Sequence, residues 1–103
     1  MELESCNIKE TNDRLRRLLP DIPLPHKLIL TEGVAGMGVA ELNRVLALVR
    51  SYDDFTEEND PYLEHDCIFI EDLICKIDYL DDKYEGLKID GNRVFTIMYR
   101  NEY

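Results

Sequence analysis

Apolar positions in the first half of the chain recur with the roughly 3.6-residue period of amphipathic helices. Residues 8–19 predict one short helix, which Pro20 ends. Residues 39–49 predict a second helix, with apolar side chains at i, i+3, i+6, i+7 and i+10. The apolar residues of the two stripes are Ile8, Leu15, Leu18 and Leu19, and then Val39, Leu42, Val45, Leu46 and Val49.

The connection between these helices contains prolines, a short apolar run and glycines. Each proline fixes φ and disfavours helix in the residue before it, so Pro20, Pro23 and Pro25 predict an extended segment. Residues 27–31 (KLILT) predict a short strand. A turn leading into the second helix is predicted from the glycines that follow, Gly33, Gly36 and Gly38.

The second half has the composition of β-strands. Residues 65–70 and 73–79 are rich in β-branched and aromatic residues and flank Glu71 and Asp72, which predicts a hairpin. Residues 93–99 predict another strand, 90–92 a turn before it, and 87–89 a brief further strand. We therefore predict an α+β fold with two helices packed on one face of a three- or four-stranded, mostly antiparallel sheet.

Length and composition favour a single cytoplasmic domain. A chain of 103 residues can bury one core but is too short for two, so residues 1–103 are predicted to form one domain. No apolar run approaches the roughly 20 residues that span a bilayer, and residues 1–12 do not resemble a secretory signal. Cys6, Cys67 and Cys75 are an odd number without metal-ligand spacing, which favours reduced thiols in the cytoplasm.

Negative charge is concentrated in one part of the chain. The net charge is −10, yet residues 1–50 hold seven acids and seven bases, whereas residues 51–90 hold fourteen acids and three lysines, a net of −11. This excess disfavours direct binding to nucleic acid or anionic membranes, and it favours cations or a basic protein surface. Residues 52–64 have no helical or strand period and contain Asn59-Asp60-Pro61, so we predict an exposed acidic loop there.

Several short motifs together resemble the bacterial family catalogued as domain of unknown function 3768. They are Asn12-Asp13 with Arg16, residues 30–34 (LTEGV), residues 59–66 (NDPYLEHD), residues 76–79 (KIDY), residues 95–98 (FTIM), and Glu102-Tyr103. The chain departs from the family pattern at Leu63, Cys67, Ile68 and Leu80. The resemblance implies a small protein of bacteria, plasmids and phages with no established activity, so function has to be argued from the residues.

A histidine–carboxylate metal site is one hypothesis for the loop. Glu64, His65 and Asp66 follow further acids and could bind a divalent cation, as a metal-binding protein or a small metal-dependent enzyme would. An EF-hand is rejected because Phe55 and Glu58 stand where that loop needs a ligand and a glycine. We therefore assign no metal ligand, no catalytic residue and no cofactor.

Other chemistry has weaker support in the pattern. His65 and Cys67 at i, i+2 could form a nucleophilic pair, but no third member or oxyanion hole is evident. The glycines at 33, 36 and 38 lack the lysine and Ser/Thr of a phosphate-binding loop. Tyrosine and methionine in the C-terminal strand leave open a dimerising accessory domain.

The acidic surface is the feature that most favours a function, although such a surface can also serve solubility alone. Carboxylates at i and i+2 of an exposed strand are ~6.6 Å apart, similar to successive phosphates, so the protein could imitate nucleic acid in a basic groove. The leading hypothesis is a non-enzymatic DNA-mimic inhibitor of a bacterial defence complex, anti-CRISPR or anti-restriction, with a basic nucleic-acid-binding partner. The predicted partner-binding acids are Asp53, Asp54, Glu57, Glu58, Asp60, Glu64 and Asp66, with Glu71, Asp72, Asp81 and Asp82 as a second patch and Tyr52, Phe55 and Tyr62 as aromatic anchors.

Overall fold

The computed structural model describes residues 2–61, 64–81 and 91–102, in which three α-helices pack beside a four-stranded sheet. The predicted α+β class is confirmed. In chain order the elements are α1 (Glu2–Arg16), β1 (Lys27–Leu30), α2 (Glu32–Ala35), α3 (Val39–Ser51), β2 (Cys67–Ile70), β3 (Leu73–Leu80), β4 (Asn92–Tyr99) and a 3₁₀ turn (Arg100–Glu102).

The helices differ from the prediction in length and number. Helix α1 begins earlier than predicted, at Glu2, and also ends earlier, at Arg16. It ends there because the residues before Pro20 leave the α-helical pattern for a tighter turn, with Leu18 N–H donating to Leu15 O. The structure adds a third helix to the two predicted, since α2 forms a single helical turn where a plain turn was expected. Four residues are too few to show a helical period. None of the helices in the described residues is long and apolar enough to cross a membrane.

The sheet has the strand order β1-β4-β3-β2. The predicted hairpin is confirmed, since β2 and β3 pair antiparallel across Glu71 and Asp72, and β3 pairs antiparallel with β4. Strand β1 pairs parallel with β4, which the chain reaches only after passing through α2, α3, β2 and β3. The predicted strand over 87–89 and the turn residue Asp90 lie outside the described residues.

One face of the sheet and the helices form the hydrophobic core. Strand alternation places Cys75 and Ile77 of β3 and Phe95 and Ile97 of β4 on this face, with Cys75 opposite Ile97. The buried stripe of α3, which is Val45, Leu46 and Val49, belongs to the same core, as does Leu15 of α1. The core therefore holds α1 and α3 on the sheet. The acidic residues between α3 and β2 lead into the sheet at its β2 edge.

Candidate functional site

Residues 52–60, called the acidic loop below, follow the end of α3 and are ordered by their own hydrogen bonds. Tyr52 Oη donates to Asp54 O at 3.0 Å, and Asn59 Nδ2 donates to the same carbonyl at 3.0 Å. Thr56 N donates to Asn59 Oδ1 at 2.8 Å, and Asp60 N donates to Thr56 O at 2.8 Å. The side chains of Tyr52 and Asn59 thus satisfy backbone groups that no helix or strand would satisfy.

Four carboxylates of the acidic loop point to solvent. Asp53, Asp54, Glu57 and Glu58 are exposed, and none of the four side chains has a salt bridge or hydrogen bond to any residue in ranges 2–61, 64–81 and 91–102. Other acids are neutralised by neighbours, as Asp78 is by Lys76 at 3.2 Å. These four carboxylates therefore carry negative charge that no described basic side chain pairs with, although Arg16 lies at the start of the loop and binds Tyr52 O.

The two described aromatic candidates lie beneath these carboxylates. Phe55 is half-buried, and its ring stacks on His65 with centroids 3.7 Å apart and planes 6° apart. Tyr52 meets Phe55 edge to face, with centroids 4.9 Å apart. The Arg16 guanidinium lies over the Phe55 ring, 5.3 Å from its centroid. Both aromatic side chains therefore have large internal contacts, and Tyr62 lies outside the described residues.

Asp60 departs from the predicted exposed loop because its side chain is only 4% exposed. Its carboxylate accepts the backbone N–H groups of Glu64 at 3.1 Å and His65 at 3.0 Å. A buried carboxylate needs such donors, and the sequence Asn59-Asp60-Pro61 places it four and five residues before them. Asp60 closes the end of the acidic loop and presents little charge to solvent.

His65 connects the acidic loop to α1. Its Nδ1 lies 2.9 Å and 3.1 Å from the two carboxylate oxygens of Asp13, and its Nε2 lies 3.8 Å from Asp60 Oδ2. Its backbone has φ 56°, the left-handed region in which a residue other than glycine is strained. The imidazole is thus held between two carboxylates, and its backbone is held by Asp60.

Asn12 of α1 is the centre of a buried polar cluster. Its Nδ2 donates to Glu64 O at 2.9 Å and to Tyr79 Oη at 2.8 Å, and its Oδ1 accepts Arg93 Nε at 3.2 Å. Tyr79 Oη in turn donates to Asp66 Oδ2 at 3.2 Å. We define the polar cluster as Asn12, Asp13, Arg16, Asp60, His65, Asp66, Tyr79 and Arg93.

Sequence reasoning missed the role of Asn12, although a signal was present. Ile8, Asn12, Leu15 and Leu19 are spaced i, i+4, i+7 and i+11, so the amide lies on the apolar face of α1. A polar residue on that face requires internal hydrogen-bond partners. Arg93 carried no comparable signal, because alternation along β4 indicates only which residues of the strand lie on the same face of the sheet as Arg93.

Asp13 and Asp66 of the polar cluster have pKa values shifted in opposite directions. Burial by itself raises the pKa of Asp13, but hydrogen bonds from His65 and Arg16 outweigh it and lower the pKa. Burial raises the pKa of Asp66, and the hydrogen bond from Tyr79 only partly offsets this. Asp13 is thus stabilised as an anion, whereas ionised Asp66 is disfavoured by its surroundings.

Cys67 and Cys75 do not have the character of nucleophiles. Burial raises the pKa of Cys67, and burial raises the pKa of Cys75 to about 12. His65 precedes β2 and has a left-handed backbone, so the strand rule that would place it beside Cys67 does not apply. The geometry does not support the Cys–His hypothesis.

The metal hypothesis receives no geometric support either. Across residues 2–61, 64–81 and 91–102, no group of three or more His, Cys, Asp or Glu side chains is arranged to hold a metal ion. His65 Nδ1 is engaged by Asp13, and Asp66 accepts a hydrogen bond from Tyr79. The groups that a metal would need at His65 and Asp66 therefore already have protein partners.

The predicted second acidic patch is divided between opposite ends of β3. Glu71 and Asp72 precede the strand and Asp81 follows it, so the eight residues of β3 separate them by roughly 26 Å. Glu71 also accepts two hydrogen bonds from Arg44, at 2.9 and 3.0 Å, and Arg44 is bound by Glu41 as well. The structure does not bring these acids together, and Asp82 lies outside the described residues.

In the glycine segment, Gly33 N and the neighbouring Thr31 hydroxyl are already hydrogen-bonded to Glu102 of the C-terminal turn. Gly33 N donates to Glu102 Oε2 at 2.9 Å, while Thr31 Oγ1 and Tyr99 N donate to Glu102 Oε1 at 2.7 and 2.9 Å. The chain thus supplies its own carboxylate where a phosphate-binding loop would present free N–H groups. Nucleotide binding at this place is not supported.

Fold and site together define a small α+β protein with an ordered, negatively charged loop above a buried polar cluster. The family model described as "Protein of unknown function (DUF3768)" matches residues 30–102, and the chain belongs to that family. The match includes the acidic loop but not α1, which carries Asn12, Asp13 and Arg16. Comparisons with curated proteins and with solved structures gave no match.

Proposed function

We propose that the protein is a non-enzymatic inhibitor that works in the bacterial cytoplasm by binding, through its acidic loop, the basic nucleic-acid groove of a defence complex. A CRISPR effector or a restriction enzyme is the kind of complex that offers such a groove. The observation that carries the proposal is a set of four exposed carboxylates within residues 53–58, none of them paired with a described residue, on a loop whose backbone is ordered.

Unpaired carboxylates are effective in this role because a partner's basic side chains do not have to displace a lysine or arginine of this protein before they bind. Charge of one sign speeds association with an oppositely charged groove and makes it sensitive to salt. Order in the loop also reduces the conformational entropy that binding would cost. Acids at the two ends of β3 add to the overall field but not to this local surface.

The experiment compares two variants with the same change in net charge. The loop variant carries Asp53→Lys, Glu57→Lys and Glu58→Lys, and the control variant carries Glu10→Lys, Asp21→Lys and Asp72→Lys. All six side chains are exposed in the structure, so both variants should fold. Folding is checked by circular dichroism and thermal unfolding.

Tagged wild type and both variants are used to capture proteins from a bacterial lysate at low and raised salt, with mass spectrometry of the eluates. We expect wild type and the control variant to capture the same nucleic-acid-binding complex at low salt and to release it at raised salt. The captured complex should lose duplex-DNA binding when wild-type protein is added. Equal capture by a folded loop variant, or no competition with DNA, would contradict the proposal.

A further inference from the structure

The acidic loop is attached to the rest of the molecule at its start, middle and end. At the start, Arg16 Nη2 donates to Tyr52 O at 3.1 Å. In the middle, the Phe55 ring stacks on His65, and at the end the Asp60 carboxylate binds two backbone N–H groups. The middle attachment lies between the two pairs of exposed carboxylates, at 53–54 and 57–58.

We propose that Phe55, His65 and Asp13 form a clamp that positions the acidic loop for its partner. The effect on partner binding rests on the function proposed above, whereas the effect on loop order does not. The three residues come from the loop, from the segment before β2 and from α1, so the clamp connects three parts of the chain.

His65 can hold Phe55 because its own ring has little freedom. Both carboxylate oxygens of Asp13 lie within 3.1 Å of Nδ1, and Asp60 faces the opposite side of the ring. Arg16 Nη1 donates to Asp13 Oδ1 at 2.8 Å, which fixes the carboxylate on the helix. With centroids 3.7 Å apart and planes 6° apart, the Phe55 and His65 rings are in van der Waals contact over their faces, which stabilises the stack through dispersion.

Phe55 acts through the carboxylates beside it rather than through direct contact with a partner. Its ring is half-buried, and moving it would displace the neighbouring backbone, including Asp54 and its hydrogen bonds from Tyr52 and Asn59. A loop that occupies its bound conformation only part of the time binds more weakly in proportion to that fraction. The clamp residues are therefore positioning residues.

The test uses a matched pair at one position. Phe55→Leu keeps an apolar side chain but removes the ring, and Phe55→Tyr keeps the ring. Asp13→Ala, at a different place in the clamp, guards against an effect peculiar to Leu at position 55. Amide hydrogen exchange is measured along the full chain, and affinity is measured for the purified complex that wild type captures.

We expect Phe55→Leu and Asp13→Ala to speed exchange in residues 53–58 while α3 and β4 stay protected, and to weaken binding about tenfold. Phe55→Tyr should keep both properties. Unchanged loop exchange in both disruptive variants would overturn the clamp, and so would faster exchange without a loss of affinity. If wild type captures no complex, the proposed function fails, and loop exchange alone then decides whether the clamp orders the loop.

Discussion

Replacing Asn12 by alanine tests the polar cluster most directly. The side chain is fully buried, and it makes three hydrogen bonds that connect α1 to the segment before β2, to β3 and to β4. Asn12→Ala removes all three and leaves Arg93 Nε and Glu64 O without this partner. No surface contact has to be invoked, so the prediction concerns the core of the fold alone.

The expected loss follows from the number of hydrogen bonds. A net contribution of about 1 kcal/mol for each gives about 3 kcal/mol, and alanine's better helix propensity returns roughly 0.6 kcal/mol. We expect the free energy of unfolding to fall by about 2–3 kcal/mol, which lowers Tm by roughly 10–20 °C for a domain of about this size.

The assay is urea unfolding at pH 7, followed by far-ultraviolet circular dichroism and repeated as a thermal melt. Asn43→Ala is the matched control, because Asn43 is also helical but exposed on α3. We expect the control to be more stable than wild type by roughly 0.6 kcal/mol, since it gains the same helix propensity and loses no buried hydrogen bond. If Asn12→Ala loses no more stability than Asn43→Ala, the polar cluster does not hold α1 in the way described.

Two further predictions concern backbone strain and pH. Glu71 has φ 55°, a backbone conformation that strains any residue except glycine. Glu71→Gly and Glu71→Ala both lose the ion pair with Arg44, but only glycine relieves the strain, so in urea unfolding the glycine variant should be more stable than the alanine variant by roughly 0.5–1 kcal/mol. Equal stabilities would show that the turn relaxes around alanine. Burial raises the pKa of Asp66, so its contribution to stability is greatest below its unfolded pKa of about 3.9 and is lost as pH rises through the folded pKa. Asp66→Asn should therefore be more stable than wild type at pH 7, with the difference shrinking towards pH 4, and a difference that does not change with pH would contradict this.

Part of the candidate site could be predicted from the sequence. The acidic loop is visible as a run of acids without period, and the resemblance already grouped Asn12, Asp13 and Arg16 as one motif and residues 59–66 as another. The burial of Asp60 could not be predicted, because its donors are backbone N–H groups whose positions depend on the path of the loop. The stack of Phe55 on His65 could likewise not be predicted, since the sequence pattern suggested for His65 only a metal ligand or a partner of Cys67.

Local patterns along the chain were enough to predict the apolar stripe of α3, the hairpin of β2 and β3, strand β4 and the concentration of negative charge after residue 50. Tertiary structure decided which of those charges stay exposed, the parallel pairing of β1 with β4, and the assembly of the polar cluster. Asn12 is hydrogen-bonded to Glu64, which lies 52 positions later in the chain, and to Arg93, which lies 81 positions later. Period and turn chemistry act between near neighbours along the chain, whereas these partners are chosen by how helices and strands pack, which no local pattern encodes.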